Sequence, residues 1–272
     1  MAATEVDLSI REENPRPRPH VTAYIVTVGA YALLLLPLLA VLFYSFMEPI
    51  VGAGATTWRL SLVWYDRLFH NDVIATTLVT SLQVASCATL VATFIGVAGA
   101  IALERGNFPG RRLLVTLTMV PLVMPELVMG LASLIWFSLQ GLELGIPTLI
   151  MGHATFALAY VITIVRARLA NFDGSLEEAA ADLGATPWVV FRKITLPIIA
   201  PGVGAGAMMA FTLSFDDFLI SFFTAGVDSD TLPMRLYSMI RFGLNREIYA
   251  LSSMLILVTT LGIVVSYRLR RV

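Results

Sequence analysis

Long apolar runs alternate with short polar segments along this chain of 272 residues. The first run, residues 21–47, has 27 uncharged residues, which is long enough to cross a bilayer and too long for the core of a signal peptide. We therefore interpret it as a retained first membrane helix. Five further runs follow at residues 73–103, 113–142, 144–165, 198–225 and 248–267. Together the runs predict an all-α, polytopic membrane domain over residues 21–272, with six transmembrane helices and both termini on the same side.

The composition supports a membrane protein, since 57% of the residues are hydrophobic, 14% are charged and the mean hydropathy is +0.81. A net charge of −1 argues against a nucleic-acid partner. The single cysteine, Cys87, has no partner for a disulfide, and His20, His70 and His153 are too scattered to indicate a metal site. The sequence therefore indicates neither redox nor metal chemistry.

The distribution of basic residues predicts the orientation of the six helices. Of the 18 Lys and Arg residues, 13 fall on the side that holds the termini. These are Arg11, Arg16, Arg18, Arg105, Arg111, Arg112, Arg166, Arg168, Arg192, Lys193, Arg268, Arg270 and Arg271. The positive-inside rule places that side in the cytoplasm. We therefore expect a cytoplasmic tail at residues 1–20, where alternating prolines favour an extended chain, and a cytoplasmic segment at residues 171–197.

Two segments predicted to face the opposite side mix Arg with aromatic residues, Leu and Met. They are "TWRLSLVWYDRLF" at residues 57–69 and "LPMRLYSMIRFGLNREI" at residues 232–248. Such mixtures are typical of segments that lie in the membrane interface. They would also suit a docking surface for an external partner, and the two interpretations are compatible.

The stretch "SLEEAAADLGATPWVVFRKITLP", residues 175–197, is polar and alanine-rich in its first half. Ser175 and Glu178 have the spacing of a capping box, which predicts a helix that begins at this point. Gly184 stands where a left-handed residue would end that helix, and Pro187 stands where a second helix would begin. We expect a short cytoplasmic helix–turn–helix between the fourth and fifth membrane runs.

This stretch resembles the EAA loop of the permeases of binding-protein-dependent ABC importers. The loop pattern is E-A-A, three residues, G, nine residues and I-x-L-P. Its fixed positions correspond to Glu178, Ala179, Ala180, Gly184, Ile194, Leu196 and Pro197. The resemblance implies the type I ABC importer permease fold in a bacterial inner membrane. It also implies a second permease subunit, a periplasmic substrate-binding protein and two ATPase subunits that bind ATP and Mg²⁺.

In that family the EAA helix is a coupling helix that inserts into a groove on an ATPase subunit. The small alanines here allow close approach, and Glu178 and Asp182 offer negative charge to basic groups in such a groove. The chain has no P-loop of its own, because its only lysine, Lys193, follows Arg192 rather than glycine. We therefore expect a non-catalytic membrane subunit without a cofactor.

Three acids interrupt the apolar runs, and intramembrane acids usually face a pathway or a partner. Glu126 lies 14 residues beyond Arg112, and Asp216 lies 15 residues beyond Pro201. On straight helices both acids would be about 21 to 22 Å from their cytoplasmic ends. Asp217 follows directly, so the three acids are predicted to share one depth.

Aromatic residues surround the aspartate pair, with Phe215 before it and Phe218 after it. Acids beside aromatic rings suit an amine cation, which gains both charge attraction and cation–π contact. Pro121 and Pro125 can bend the third run just before Glu126. Two alternatives for the aspartates remain open. Either they lie at the wet outer end of the fifth helix, or they pair with Arg235 or Arg241.

Residues 214–251, "SFDDFLISFFTAGVDSDTLPMRLYSMIRFGLNREIYAL", resemble the spermidine/putrescine permeases, in particular their second membrane subunit. The matching positions are Leu213, directly before this segment, and Ser214, Asp216, Asp217, Leu232, Pro233 and Tyr237 to Met239 within it. The chain departs from the pattern at Tyr249, where Asn is usual, and at Glu126, where Asp often follows the proline. The resemblance implies a polyamine importer that works by alternating access.

The sequence leaves two other hypotheses open, one about the substrate and one about the class of membrane protein. Related permeases carry iron, opines or other amines, so the same machine could serve another substrate. A different class, an ion-coupled carrier or an intramembrane hydrolase, would need no ATPase. Adjacent aspartates on one helix point about 100° apart, which is a poor arrangement for a two-aspartate catalytic dyad.

Overall fold

The computed structural model describes residues 21–52, 55–243 and 246–269. The predicted cytoplasmic tail at residues 1–20, together with Arg270 and Arg271, lies outside these residues. The elements, in chain order, are α1 (Val21–Ser45), β1 (Met47–Gly52), β2 (Ala55–Leu60), α2 (Val63–Phe69), α3 (Asp72–Arg105), α4 (Arg111–Val123), α5 (Glu126–Leu139), α6 (Ile146–Ala170), α7 (Ser175–Asp182), α8 (Pro187–Val190), a π-helical segment (Phe191–Thr195), α9 (Leu196–Asp216), α10 (Leu219–Thr224), α11 (Leu232–Arg241) and α12 (Glu247–Leu269).

The described residues divide into two compact units, one made of those up to residue 66 and from residue 246 onward, and the other of residues 67–243. In the first unit, α1 packs against α12, and β1 pairs with β2 as an antiparallel hairpin from Met47 opposite Leu60 to Gly52 opposite Ala55. The pattern of apolar runs does not predict this hairpin. The expectation of an all-α protein is therefore wrong at this point, although the rest of the described chain is mostly helical.

Side-chain contacts hold the segment after the hairpin within the first unit. The hydroxyl of Tyr65 lies 2.8 Å from the Oγ of Ser45 and 2.8 Å from the Oγ of Ser253, so it joins three parts of the chain. The guanidinium of Arg246 lies over the ring of Trp58, 5.0 Å from its centroid. Trp58 is nevertheless half exposed. A half-exposed tryptophan beside an arginine is compatible with a position in the membrane interface and with a docking surface. Both interpretations stay predictions.

Helices α3, α6 and α9 form the centre of the second unit. Their shared core contains Ala92, Ala100, Leu103, Ala157, Val161, Ile162, Val165, Leu169, Ile199 and Ala210. Small residues bring the helices close together, since a Cβ added at Gly96 would lie 2.6 Å from the Cγ1 of Val161. Such close packing makes these helices a rigid support for the segments attached to their ends.

The third apolar run is not one helix. It forms α4 and α5, and the chain bends by 113° between them at Met124 and Pro125. This confirms the predicted bend near the prolines. Proline causes it because it has no N–H for the helical hydrogen bonds and also restricts the backbone of the residue before it. Because α4 runs as far as Val123, the bend comes only just before Glu126, and the depth estimated for this acid stays a prediction.

The fifth run is also interrupted. Residues 187–216 form one apolar helical stretch, but α9 ends at Asp216 and Asp217 is extended, with φ −68° and ψ 126°. A short helix, α10, then begins at Leu219. The two aspartates therefore do not lie on one helix, and the 100° argument against a catalytic dyad does not apply to them.

Four described helices are long and apolar enough to cross a membrane, namely α1, α3, α6 and the stretch at residues 187–216. The bent pair α4 and α5 would make a fifth span if both halves belong to it. The described apolar part of α12, Glu247–Gly262, is shorter than this length. The count of six spans therefore stays a prediction.

Candidate coupling loop and membrane acid cluster

Helix α7 begins by a different route from the predicted capping box. Ser175 is its first residue rather than its cap, and the Ser175 N–H donates to the Oδ1 of Asp173 at 3.0 Å. The predicted capping box between Ser175 and Glu178 is therefore wrong. Because this hydrogen bond favours the carboxylate, the pKa of Asp173 lies below its ordinary value. Asp173 orders the entry to α7 from the solvent-exposed loop.

The end of α7 matches the prediction. Gly184 has φ +81°, its N–H donates to the carbonyl of Ala181 at 2.9 Å, and the N–H of Ala185 donates to the carbonyl of Ala180 at 3.0 Å. These two bonds form a Schellman motif. Pro187 is the first residue of α8, as predicted. The turn between the two helices is thus defined by backbone hydrogen bonds and not only by composition.

Substitution of Gly184 by Ala should loosen this turn. A Cβ at Gly184 would contact nothing within 4 Å, so the loss of stability arises only from the left-handed backbone. We expect the turn to be destabilised by about 1 kcal/mol, which raises the equilibrium constant for its local opening about fivefold. We expect hydrogen exchange of the Ala185 amide to accelerate by that factor. Gly174→Ala is the matched control, because Gly174 has φ −63° and equally open surroundings. Equal acceleration in both variants would contradict the assignment.

Some residues of the EAA pattern lie on the exposed face of α7, and others lie in the segment that connects α7 to α9. Glu178, Ala179 and Asp182 are exposed on α7, and Leu183 and Trp188 beside them are 90% and 66% exposed. These two side chains leave a large apolar area of the loop exposed in the isolated chain. The remaining motif residues, Ala180, Ile194, Leu196 and Pro197, extend from the inner side of α7 through the π-helical segment into the first turn of α9.

The structure brings the three membrane acids together. Glu126 is the first residue of α5, Asp216 is the last residue of α9, and Asp217 lies in the break before α10. Gly130, one helical turn after Glu126, lies against the backbone just after Asp217, with its Cβ position 3.0 Å from the carbonyl oxygen of Leu219. Helices α5 and α10 can approach closely because Gly130 has no side chain, and a Cβ there would lie 2.8 Å from the ring of Phe223.

Asp217 also has a structural role that its position in the sequence does not indicate. Its Oδ1 accepts the N–H groups of Ile220 and Ser221, at 2.8 and 3.1 Å, and so caps α10. Its side chain is buried, and its Oδ2 has no hydrogen-bond partner among the described residues. Arg241 donates to the hydroxyl of Tyr237 at 2.9 Å instead. Within the described chain, Asp217 thus does not pair with Arg235 or Arg241.

A histidine that the sequence analysis set aside supports the same break. The imidazole of His153, on α6, is 2% exposed, with Nδ1 2.9 Å from the Oγ of Ser214 and Nε2 3.0 Å from the Oγ of Ser221. One ring thereby joins the end of α9 to the start of α10. The available signal was the isolated polar residue within the fourth apolar run, which in a membrane core requires hydrogen-bond partners.

The two predicted aromatic residues lie in separate contacts. Phe215 stacks on Phe211, with ring centroids 5.9 Å apart. Phe218 packs against Tyr237, with centroids 4.6 Å apart, and lines a cavity of about 260 Å³ with Phe222. The aromatic rings therefore flank the acid cluster on both sides of the break rather than forming a single cage.

The sequence of residues 92–272 matches the family described as "Binding-protein-dependent transport system inner membrane component". This match covers the coupling loop, the acid at residue 126 and the break at residues 217–218. The chain belongs to this family. Members are components of membrane transport systems, and the apolar helices described above agree with a membrane component.

Two curated relatives resemble the chain over most of its length. One is the spermidine/putrescine transport system permease protein PotC of Haemophilus influenzae, 35% identical over 89% of this chain and 93% of the relative. The other is the putrescine transport system permease protein PotI of Escherichia coli, 37% identical over 85% of this chain and 84% of the relative. The likeness therefore extends beyond residues 92–272, the part of the chain that the family match covers.

Solved structures confirm the fold. One is a chain of a bacterial ABC transporter involved in the import of the acidic polysaccharide alginate. It aligns with a TM-score of 0.70 and 15% identity, and the alignment covers 92% of the present protein and 94% of the alginate transporter chain. A chain of the methionine ABC transporter MetNI aligns with a TM-score of 0.57, at 18% identity, over 74% and 96%. The family member thus has a fold found in chains of ABC transporters.

Proposed function

We propose that the chain is a permease subunit of an ATP-driven ABC importer for polyamines such as spermidine and putrescine. The similarity to two polyamine permeases, at 35 and 37% identity, supports this substrate class. In this proposal six spans place both termini in the cytoplasm of a bacterium, and the subunit sits in the inner membrane beside a second, different permease subunit. A periplasmic binding protein delivers the substrate.

The observation that carries the substrate proposal is the meeting of Glu126, Asp216 and Asp217 at two helix breaks. Acids within the membrane are costly, and a cluster of three is stabilised when a cation with more than one charge approaches it. Glu126 and Asp216 are exposed in the isolated chain and can face such a cation. Phe215 and Phe218 add aromatic faces beside the acids for the methylene and ammonium groups of an amine.

The coupling proposal rests on the exposed face of α7. Glu178 and Asp182 present negative charge, and Leu183 and Trp188 present apolar surface, which together suit a groove with basic and apolar groups on an ATPase subunit. Two such subunits would bind ATP and Mg²⁺ and hydrolyse the nucleotide, so this chain supplies no catalytic residue. Leu196 and Pro197 begin α9, and Asp216 is at its other end. In this proposal a movement of α7, driven by the ATPase, is transmitted along α9 to the acid cluster.

Alternating access requires that the substrate be bound differently in the two states of the machine, not that it be bound tightly. The acid cluster lies at breaks in two helical runs, where small rotations of α5 or α10 change the distances between the acids. We therefore expect a weak membrane site whose geometry differs between the inward-facing and outward-facing states.

The proposal is tested by reconstituting the subunit with its partner permease, ATPase subunits and binding protein in liposomes. We expect uptake of labelled putrescine or spermidine that requires ATP, and binding of the same amine to the binding protein in calorimetry. Competition by ferric iron or an opine, without competition by polyamines, would assign another substrate to the same machine. Uptake without ATPase subunits would instead indicate an ion-coupled carrier.

A further inference from the structure

Arg105 and Glu177 form an ion pair between the end of α3 and the first turn of α7. One terminal nitrogen of Arg105 lies 2.6 Å from each oxygen of the Glu177 carboxylate. The side chains are only 34% and 20% exposed, so solvent screens this pair less than a pair on the open surface. Glu177 lies outside the EAA pattern, whose glutamate is the next residue, Glu178.

Each partner of this pair holds a second segment. The guanidinium of Arg105 lies over the ring of Phe172, 5.3 Å from its centroid, and Phe172 lies in the loop that leads into α7. The Glu177 carboxylate also accepts a hydrogen bond from the hydroxyl of Thr195, which is fully buried just before α9. The pair therefore connects α3, the loop, α7 and α9.

Packing alone does not make this connection. Cavities of about 450 and 410 Å³ adjoin the pair, and Arg105, Glu177 and Glu178 line both of them. Helix α7 packs mainly against α8 and the π-helical segment. The polar contacts of Glu177 therefore carry much of the attachment of α7 to α3. Glu178, one residue further on, is exposed to solvent.

We propose that Glu177 is a positioning residue that fixes the coupling helix α7 to the ends of α3 and α9, so that movement of α7 is passed to the membrane helices. This inference rests on the proposed function, because it assumes that α7 is moved by an ATPase. Adjacent glutamates then have opposite tasks. Glu178 contacts the partner, and Glu177 holds the helix to its own subunit.

The test uses the complete transporter in liposomes and compares amine uptake with ATP hydrolysis. Glu177→Gln should retain the ATPase subunits on co-purification, because the exposed face of α7 is unchanged. It should lower the amount of amine imported per ATP hydrolysed by about tenfold, a typical magnitude for the loss of one coupling interaction. Arg105→Gln should give the same result.

The charge-swapped double variant Arg105→Glu with Glu177→Arg separates a specific attachment from general damage. It should recover at least half of the wild-type ratio of uptake to hydrolysis, since the pair can form again in reverse. A ratio that stays low in the double variant would overturn the proposal. So would a normal ratio in the Glu177→Gln variant.

The chain supplies a matched control one residue before Arg105. Glu104 pairs with Arg166 of α6 at 3.0 Å, with similar exposure, but does not join α7 to α3. Arg166→Gln should leave the ratio of uptake to hydrolysis within twofold of wild type, and an equal loss there would overturn the proposal. If wild-type transporter imports no amine or binds no ATPase, the proposed function itself fails, and this outcome is distinct.

Discussion

Replacement of Glu178 by Arg is expected to abolish ATP-driven uptake while leaving the membrane helices inserted. Glu178 is exposed on α7, so a change of its side chain does not disturb a buried core. Reversal of its charge would place like charges against the basic groups expected in the ATPase groove, and like charges brought together at an interface cost several kcal/mol. We expect substrate-stimulated ATP hydrolysis and uptake in liposomes to fall by about a hundredfold, near the upper end of typical coupling energies.

The same substitution at Glu143 provides the control for this prediction. Glu143 is also an exposed glutamate, but it lies between α5 and α6, outside the coupling loop. Glu143→Arg should insert, assemble and transport as wild type does. Substrate-stimulated hydrolysis that stays normal in the Glu178→Arg variant would show that α7 is not the segment through which the ATPase acts.

Replacement of both Asp216 and Asp217 by Asn is expected to reduce amine uptake at least tenfold without loss of assembly. Asparagine keeps an acceptor oxygen in the place of Oδ1, so the cap on α10 can persist while both negative charges disappear. The loss should appear mainly as a higher KM for a diamine or triamine, because about 1.4 kcal/mol of binding corresponds to tenfold. Labelled uptake at equal amounts of reconstituted transporter measures this effect.

Two further variants identify the cause of any loss. Asp217→Ala removes the cap as well as the charge and should lower the thermal stability of the assembled complex by about 1 to 2 kcal/mol. Asp228→Asn is a control for the loss of one acid, because Asp228 has φ +57°, a conformation that Asn also accepts. Uptake that is unchanged in the double Asn variant would mean that the aspartates serve the fold alone.

The sequence predicted the parts of this fold that follow from local chemistry. The apolar runs identified α1, α3 and α6, because their length and hydropathy depend on no other segment. Gly184 was located correctly because glycine tolerates the left-handed backbone that ends α7, and Pro187 because proline suits the first turn of a helix, where its φ is already fixed and no N–H is needed. The start of α7 was not, because Asp173 and Ser175 both offer a suitable oxygen and the sequence does not rank them.

The breaks in the membrane runs were harder to predict. Hydropathy reports whether a segment is apolar but not whether its helix is continuous. Proline signalled the bend before Glu126, whereas no proline or glycine marks the break at Asp217. That break depends on hydrogen bonds from Asp217 and on the imidazole of His153, which is far away in sequence. The β-hairpin was missed for a similar reason, because its strands are short and follow an apolar helix directly.

The π-helical segment at residues 191–195 sets the rotational phase of the coupling helices. The Leu196 N–H donates to the carbonyl of Phe191, five residues earlier, so this turn contains one more residue than an α-helical turn. Without that residue, α7 and α8 would be rotated by about 100° around the axis of α9. The nine-residue interval between Gly184 and Ile194 therefore fixes the rotation of α7 about the axis of α9, and with it the side of the loop that faces the partner.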